Sequence, residues 1–175
     1  MKYEGLENVP SDQGYILVSN HRSNYDPLFI VQKLKAQMHF MAKAELFRNP
    51  FFGWILRMVN AFPIERGKGD TGALEWATRI TREGRILVMF PEGSRSKDGK
   101  LGRPRSGAAV IASQTGADIL PCAVSFGSKL GFRSKVVVRY GPLIKNSELA
   151  LDPQVPSSVK KASQMIMERI ASLLD

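Results

Sequence analysis

Tyr15-Ile16-Leu17-Val18-Ser19-Asn20-His21-Arg22-Ser23-Asn24-Tyr25-Asp26-Pro27-Leu28-Phe29-Ile30-Val31 is the stretch whose reading decides the fold. Tyr15–Ser19 is a short apolar run without alternation, which suits a strand buried on both faces. Asp26-Pro27 carries a helix-start signal, with Asp as N-cap and Pro at the first helical position. The helix is expected to run from Pro27 to about Gln37. A histidine and a carboxylate thus sit where a strand hands over to a helix. Of the two histidines in the chain, only His21 has such a setting, and it reads as a general base.

The same punctuation repeats outward from this stretch. Residues 1–14 read as a polar lead-in. Met38–Ala42 reads as a strand, and Asn49-Pro50 starts a helix from Phe51 to about Val59. Ala61–Ile64 is a short strand, and Asp70 caps a helix that Gly84 ends. Arg85–Phe90 is another buried strand, followed by the loop Pro91–Arg105. Ser106–Thr115 is a helix of small residues ended by Gly116, and Asp118–Phe126 a further strand. Lys135–Tyr140 reads as a strand at an antiparallel edge. Ser157 or Ser158 caps a last amphipathic helix, 156–174, with Val159, Met165, Ile166, Ile170 and Leu173 near helical spacing. Strands alternating with helices argue for a single-domain α/β sandwich over 1–175, its largely parallel central sheet flanked by helices.

Bulk composition narrows the function classes. The 175 residues are 43% hydrophobic and 23% charged, with a net charge of +9. An anionic partner follows: nucleic acid, a phosphorylated metabolite or an acidic membrane surface. Nucleic acid is disfavoured, because aromatic and basic residues are not interleaved. The single cysteine, Cys122, excludes an intramolecular disulfide and any cysteine-built zinc site. It lies within an apolar run and reads as a buried small hydrophobe. No stretch approaches the roughly 20 apolar residues of a membrane-spanning helix, and Met1-Lys2-Tyr3-Glu4-Gly5, with no apolar core behind it, is not expected to act as a signal peptide. The protein is expected to be soluble or to touch membranes from the side.

In an open α/β sheet, ligands bind outside the carboxyl ends of the strands. The polar segments Asn20–Asp26, Glu65–Lys68 and Pro91–Ser96 all follow strands at that end, which places one active site there. Five positions along a regular helix are about 140° apart, so His21 and Asp26 meet only if the chain between them turns. Asp26 therefore has two readings: it orients the imidazole, or it caps its helix while His21 bonds a carbonyl. No nucleophile elbow surrounds Ser19 or Ser23, so a base at His21 would activate a substrate hydroxyl or water directly. Between Gly93 and Ser106 stand Arg95, Lys97, Lys100, Arg103 and Arg105 against one acid, Asp98. That loop suits a phosphate, or it is a solvated basic loop. Glu92 faces the same rim. Phe51, Phe52, Trp54, Ile55, Met58 and Val59 read mainly as core, with any surplus left to meet a bilayer or an acyl chain.

Together these segments resemble the glycerolipid acyltransferase family, of which 1-acylglycerol-3-phosphate O-acyltransferases are the best-known members. Asn20-His21-Arg22-Ser23-Asn24-Tyr25-Asp26 matches the family's Asn-His-x-x-x-x-Asp. Phe62-Pro63-Ile64-Glu65-Arg66-Gly67 is similar to its second motif, Phe90-Pro91-Glu92-Gly93-Ser94-Arg95-Ser96 to its third and Leu120-Pro121-Cys122-Ala123-Val124 to its fourth. The resemblance implies fatty acyl transfer from acyl-CoA or acyl-carrier protein to the free hydroxyl of a lysophospholipid, giving phosphatidic acid. His21 and Asp26 are the implied catalytic pair, and Arg66, Glu92, Gly93, Ser94 and Arg95 the implied acceptor site. Lys97, Arg103 and Arg105 are expected phosphate or membrane contacts, and a protonated or hydrogen-bonded Glu92 would alternatively position His21 or a glycerol hydroxyl. No metal or cofactor is implied beyond the acyl thioester donor, and no nucleic acid. The implied location is cytoplasmic, peripheral at the inner face of the cell membrane. Two other readings stand beside it: another acceptor, such as glycerol 3-phosphate or a different lysolipid, and a non-catalytic basic module on anionic membrane. Members usually carry an apolar or amphipathic segment before the first motif, whereas this chain begins almost at that motif.

Overall fold

The computed structural model describes residues 1–58, 60–64, 71–96, 98–127, 130–131, 133–152 and 154–174. Its strands are β1 (Lys2–Glu4), β2 (Tyr15–Ser19), β3 (Met38–Lys43), β4 (Ala61–Ile64), β5 (Ile86–Met89), β6 (Asp118–Ser125) and β7 (Val137–Tyr140). Its α-helices are α1 (Asp26–Val31), α2 (Pro50–Met58), α3 (Thr71–Arg82), α4 (Gly107–Thr115) and α5 (Pro156–Ala171). The strands form one sheet in the order β1-β7-β6-β2-β5-β3-β4. β6, β2, β5, β3 and β4 are mutually parallel, and β7 runs antiparallel to β6.

The unbroken apolar runs follow from burial on both faces. Tyr15 and Leu17 pack under α1 with Ile30, Val88 and Leu120. Ile16 and Val18 face the other way, among Ala77 and Ile80 of α3, Ala109 of α4 and Ile166 of α5. α1 and α2 thus cover one face of the sheet, and α3, α4 and α5 the other. Cys122 is fully buried in the interior strand β6, and burial pushes its thiol pKa up, as expected of a small core residue.

The structure departs from the sequence reading mainly at α1, the N-terminal residues, α5 and the outer side of α2. α1 ends at Val31 rather than near Gln37. The hydroxyl of Tyr140 donates to the Ile30 carbonyl at 2.6 Å, and that of Tyr3 to the Phe29 carbonyl at 3.1 Å. Carbonyls that a longer helix would have turned inward are held by side chains from the sheet. Residues 1–14 are more than a lead-in: Lys2–Glu4 pairs parallel with β7, so β7 is antiparallel but lies inside the sheet, and β1 forms the edge. An ion pair of Glu4 with Arg139 at 2.6 Å fixes it there. The N-cap of α5 is Val155, two residues ahead of Ser157, with Pro156 in the first turn, and the helix ends at Ala171. Ser158 instead bonds backward, donating to the Asp152 carbonyl at 3.0 Å. Phe51, Trp54 and Met58 are 64%, 59% and 65% exposed rather than core. They recur at helical spacing on the solvent side of α2, while Leu56 packs inward. The expected continuation to Val59 and the cap at Asp70 lie outside the described residues.

Candidate active site

The carboxyl ends of β2, β5 and β6 lie side by side, so the loops leaving them share one rim. The loop after β2 makes the turn that His21 and Asp26 require. The Nδ1 of His21 is 2.9 Å from Oδ2 of Asp26. The same oxygen accepts the backbone N–H groups of Arg22 at 2.6 Å and Ser23 at 2.7 Å. Asp26 therefore does not cap α1, whose N-cap is Tyr25 without a side-chain bond. Its carboxylate is turned back onto the loop. An oxygen already receiving two amide hydrogens acts as acceptor toward the ring as well, so Nδ1 carries its hydrogen and Nε2 keeps its lone pair. Asp26 is fully buried and the His21 side chain 19% exposed. The dyad thus has a dry back and an open front.

Three further contacts hold His21, one on its ring and two on its backbone. Phe90, directly after β5, stacks on it with ring centroids 4.1 Å apart and planes 20° from parallel. The His21 N–H donates to Oε1 of Glu92 at 2.9 Å, and its carbonyl accepts the Ser96 N–H at 2.7 Å. Asn20 is buried, and its side chain pairs with both backbone groups of Val124 on β6, at 3.0 and 2.8 Å. Asn20, Phe90 and Ser96 stand within the two motifs, but their neighbours in sequence indicate no role for them. These contacts join residues distant in sequence and have no local signature.

The basic loop folds into an open depression of about 630 Å³, lined by Glu92, Ser94, Arg95, Lys100, Arg103 and Arg105 among others. Ser94, Arg95, Arg103 and Arg105 are exposed. Gly93 has φ +70°, a left-handed backbone that favours glycine, and a Cβ there would lie 2.5 Å from Nε of Arg105 and push that side chain aside. Arg105 is partly committed, its Nε donating to the Glu92 carbonyl at 3.3 Å. Asp98 turns inward on its own loop. The Lys100 N–H and then the Ser96 hydroxyl hold its carboxyl pKa below the usual value. Among the described residues the depression is thus lined by four cations, Arg95, Lys100, Arg103 and Arg105, against the ionised Asp98 and the nearly buried Glu92. Glu92 is nearly buried, and both its oxygens accept backbone N–H groups, from His21 and from Gly102 at 2.7 Å. Arg66 and Lys97 lie outside the described residues. Among the described residues no three His, Cys, Asp or Glu side chains converge as a metal site would need.

A family profile described as Acyltransferase matches residues 1–125. A 1-acyl-sn-glycerol-3-phosphate acyltransferase of Streptococcus pneumoniae is 39% identical over 122 residues, 68% of this chain and 45% of that protein. One of Bacillus subtilis is 31% identical over 180 aligned positions, covering 99% of this chain and 87% of that protein. The crystal structure of the 1-acyl-sn-glycerophosphate (LPA) acyltransferase PlsC from Thermotoga maritima superposes with a TM-score of 0.73 at 27% identity, over 99% of this chain and 70% of that one. This chain spans less than half the length of the S. pneumoniae relative, but most of the B. subtilis one.

Proposed function

The chain belongs to the acyltransferase family, and from that premise we propose that it moves a fatty acyl group from an acyl thioester to the free hydroxyl of 1-acyl-glycerol 3-phosphate, giving phosphatidic acid. The observation that carries the reading is the Nδ1 bond of His21 to a buried Asp26, on the rim that also holds a cationic depression. The names of the relatives agree with this acceptor.

In the proposed reaction, Nε2 of His21 takes the proton of the acceptor hydroxyl as its oxygen attacks the thioester carbonyl. Asp26 holds the tautomer and stabilises the imidazolium. The tetrahedral intermediate collapses with cleavage of the carbon–sulfur bond, and the imidazolium returns the proton to the leaving thiolate. Arg66, Ser94 and Arg95, with Lys97, Arg103 and Arg105, bind the acceptor phosphate, and the open backbone at Gly93 lets it approach. The donor is acyl-CoA or acyl-carrier protein. The protein works as a peripheral enzyme at the inner face of the cell membrane, on the exposed apolar side of α2.

The test pairs labelled acyl-CoA and acyl-carrier protein with lysophosphatidate, glycerol 3-phosphate and other lysolipids, with products read by mass spectrometry. Phosphatidic acid from the wild type and none from His21→Ala is expected, with unchanged circular dichroism. Substantial activity in His21→Ala overturns the role of the base, and product from a different acceptor alone overturns the acceptor.

A further inference from the structure

The chain entering His21 is tied down at two points by side chains that do not touch its ring. On one side, the His21 N–H enters the buried carboxylate of Glu92 at 2.9 Å, and the other oxygen of that carboxylate takes the Gly102 N–H at 2.7 Å. Glu92 is 6% exposed. One residue earlier, the 2% exposed Asn20 leaves β2 where the ladder with β6 ends at Ser19 and Cys122. Its Nδ2 donates to the Val124 carbonyl at 3.0 Å and its Oδ1 accepts the Val124 N–H at 2.8 Å. The side-chain amide thus stands in for the next rung of the ladder. That frees the backbone of residues 20–21 to turn out of the sheet toward Glu92 and Ser96.

We propose that Glu92 and Asn20 are positioning residues for His21, and that Glu92 acts by clamping the His21 peptide rather than by binding the acceptor. The chemistry of each side chain is specific to that task. Glu92 offers an acceptor to each of two N–H groups. An isosteric glutamine keeps one acceptor and turns an NH2 donor against the other N–H, leaving a buried donor unpaired. Asn20 needs one donor and one acceptor, and aspartate loses the donor, setting an oxygen against the Val124 carbonyl. Gly102 offers an independent handle. A Cβ there would lie 2.9 Å from Oε2 of Glu92, so Gly102→Ala displaces the clamp without changing any charge in the site.

The proposal rests on the reading of His21 as base, and its experiment separates the two. Glu92→Gln, Asn20→Asp and Gly102→Ala are compared with wild type for kcat and for KM of acceptor and donor. The two histidines make the imidazole nitrogens resolvable by 15N NMR, with His39→Gln assigning them. Each variant is expected to lower kcat about a hundredfold, the loss typical of a slightly misplaced catalytic group. The acceptor KM stays within about twofold, as for an interaction made only in the transition state. The single Nδ1–H tautomer pattern of His21 is lost. A raised acceptor KM with kcat retained in Glu92→Gln makes Glu92 a substrate ligand and overturns the proposal. Unchanged kcat and tautomer in Gly102→Ala overturn it too, and this arm decides if Glu92→Gln does not fold. Should the wild type transfer no acyl group, the functional reading fails, while the tautomer readout still decides the clamp.

Discussion

Oδ2 of Asp26 receives two backbone N–H groups and the imidazole N–H, while Oδ1 is buried with no partner among the described residues. In Asp26→Asn the amide oxygen keeps those three bonds only if its NH2 takes the unpartnered position. That leaves a buried donor unsatisfied, a cost of about 1–3 kcal/mol. The geometry survives in part, but the charge that balances an imidazolium is gone. We expect kcat to fall about a thousandfold or more with a folded protein and a nearly unchanged acceptor KM, measured by the same acyl-transfer assay. His21 and Asp26 were legible in the sequence because both sit in one short polar segment between two apolar runs. Which of two roles Asp26 takes was not legible, since capping and ring contact differ only in the direction a carboxylate turns. The bonds of Glu92 and Asn20 were hidden for another reason: their partners are backbone groups, which look alike in any sequence.

Punctuating residues made the elements readable, and tertiary contacts moved their ends. Gly84 ended α3 as expected. It has φ +73°, its N–H reaches the Thr81 carbonyl, and the Arg85 N–H reaches back to Ile80, which closes the last turn. A Cβ at Gly84 meets nothing within 4 Å, so Gly84→Ala suffers only the left-handed backbone penalty of about 1 kcal/mol. Calorimetry should show Tm lower by about 2–4 °C, with acyl transfer intact. α1 carried no comparable stop signal. Its end depends on the Tyr3 and Tyr140 hydroxyls, which reach it from the sheet. α2 was placed correctly and its outer face was misjudged, because helical spacing of Phe51, Trp54 and Met58 reports a common side but not what lies beyond it. With Arg48 and Arg57 close by in sequence, that side suits an anionic bilayer. Each large apolar side chain removed from water contributes roughly 1.5–3 kcal/mol when fully buried. With only their exposed part left to bury, Phe51→Ser/Trp54→Ser/Met58→Ser should weaken sedimentation with anionic vesicles by about two orders of magnitude or more, yet keep turnover of a short-chain, freely dissolved acceptor. Vesicle binding equal to wild type would exclude α2 as the contact.

Across the whole molecule, continuous apolar runs revealed a mostly parallel sheet, whereas three polar residues at Lys2–Glu4 did not reveal its edge, which is set by pairing with β7 and the Glu4–Arg139 bridge. The sheet also buries His39 of β3, edge-on to Trp76 with centroids 5.2 Å apart. Burial first, then the Arg85 charge, push its pKa down. The unfolded chain therefore binds that proton more readily than the folded one. Stability is full above the unfolded value of about 6.5 and declines as pH falls from there through the lower folded value. Thermal melts of wild type should show Tm falling below about pH 6.5, with a flatter slope in His39→Phe. The His21–Glu92 bond joins partners 71 positions apart in sequence, one on the loop after β2 and the other on the loop after β5. Such a bond forms only once the two strands have paired across a long closed loop, a slow and non-local event in refolding. Helical signal in a renaturing sample should therefore return before acyl transfer does, and regained turnover then marks the moment when the middle of the sheet has locked.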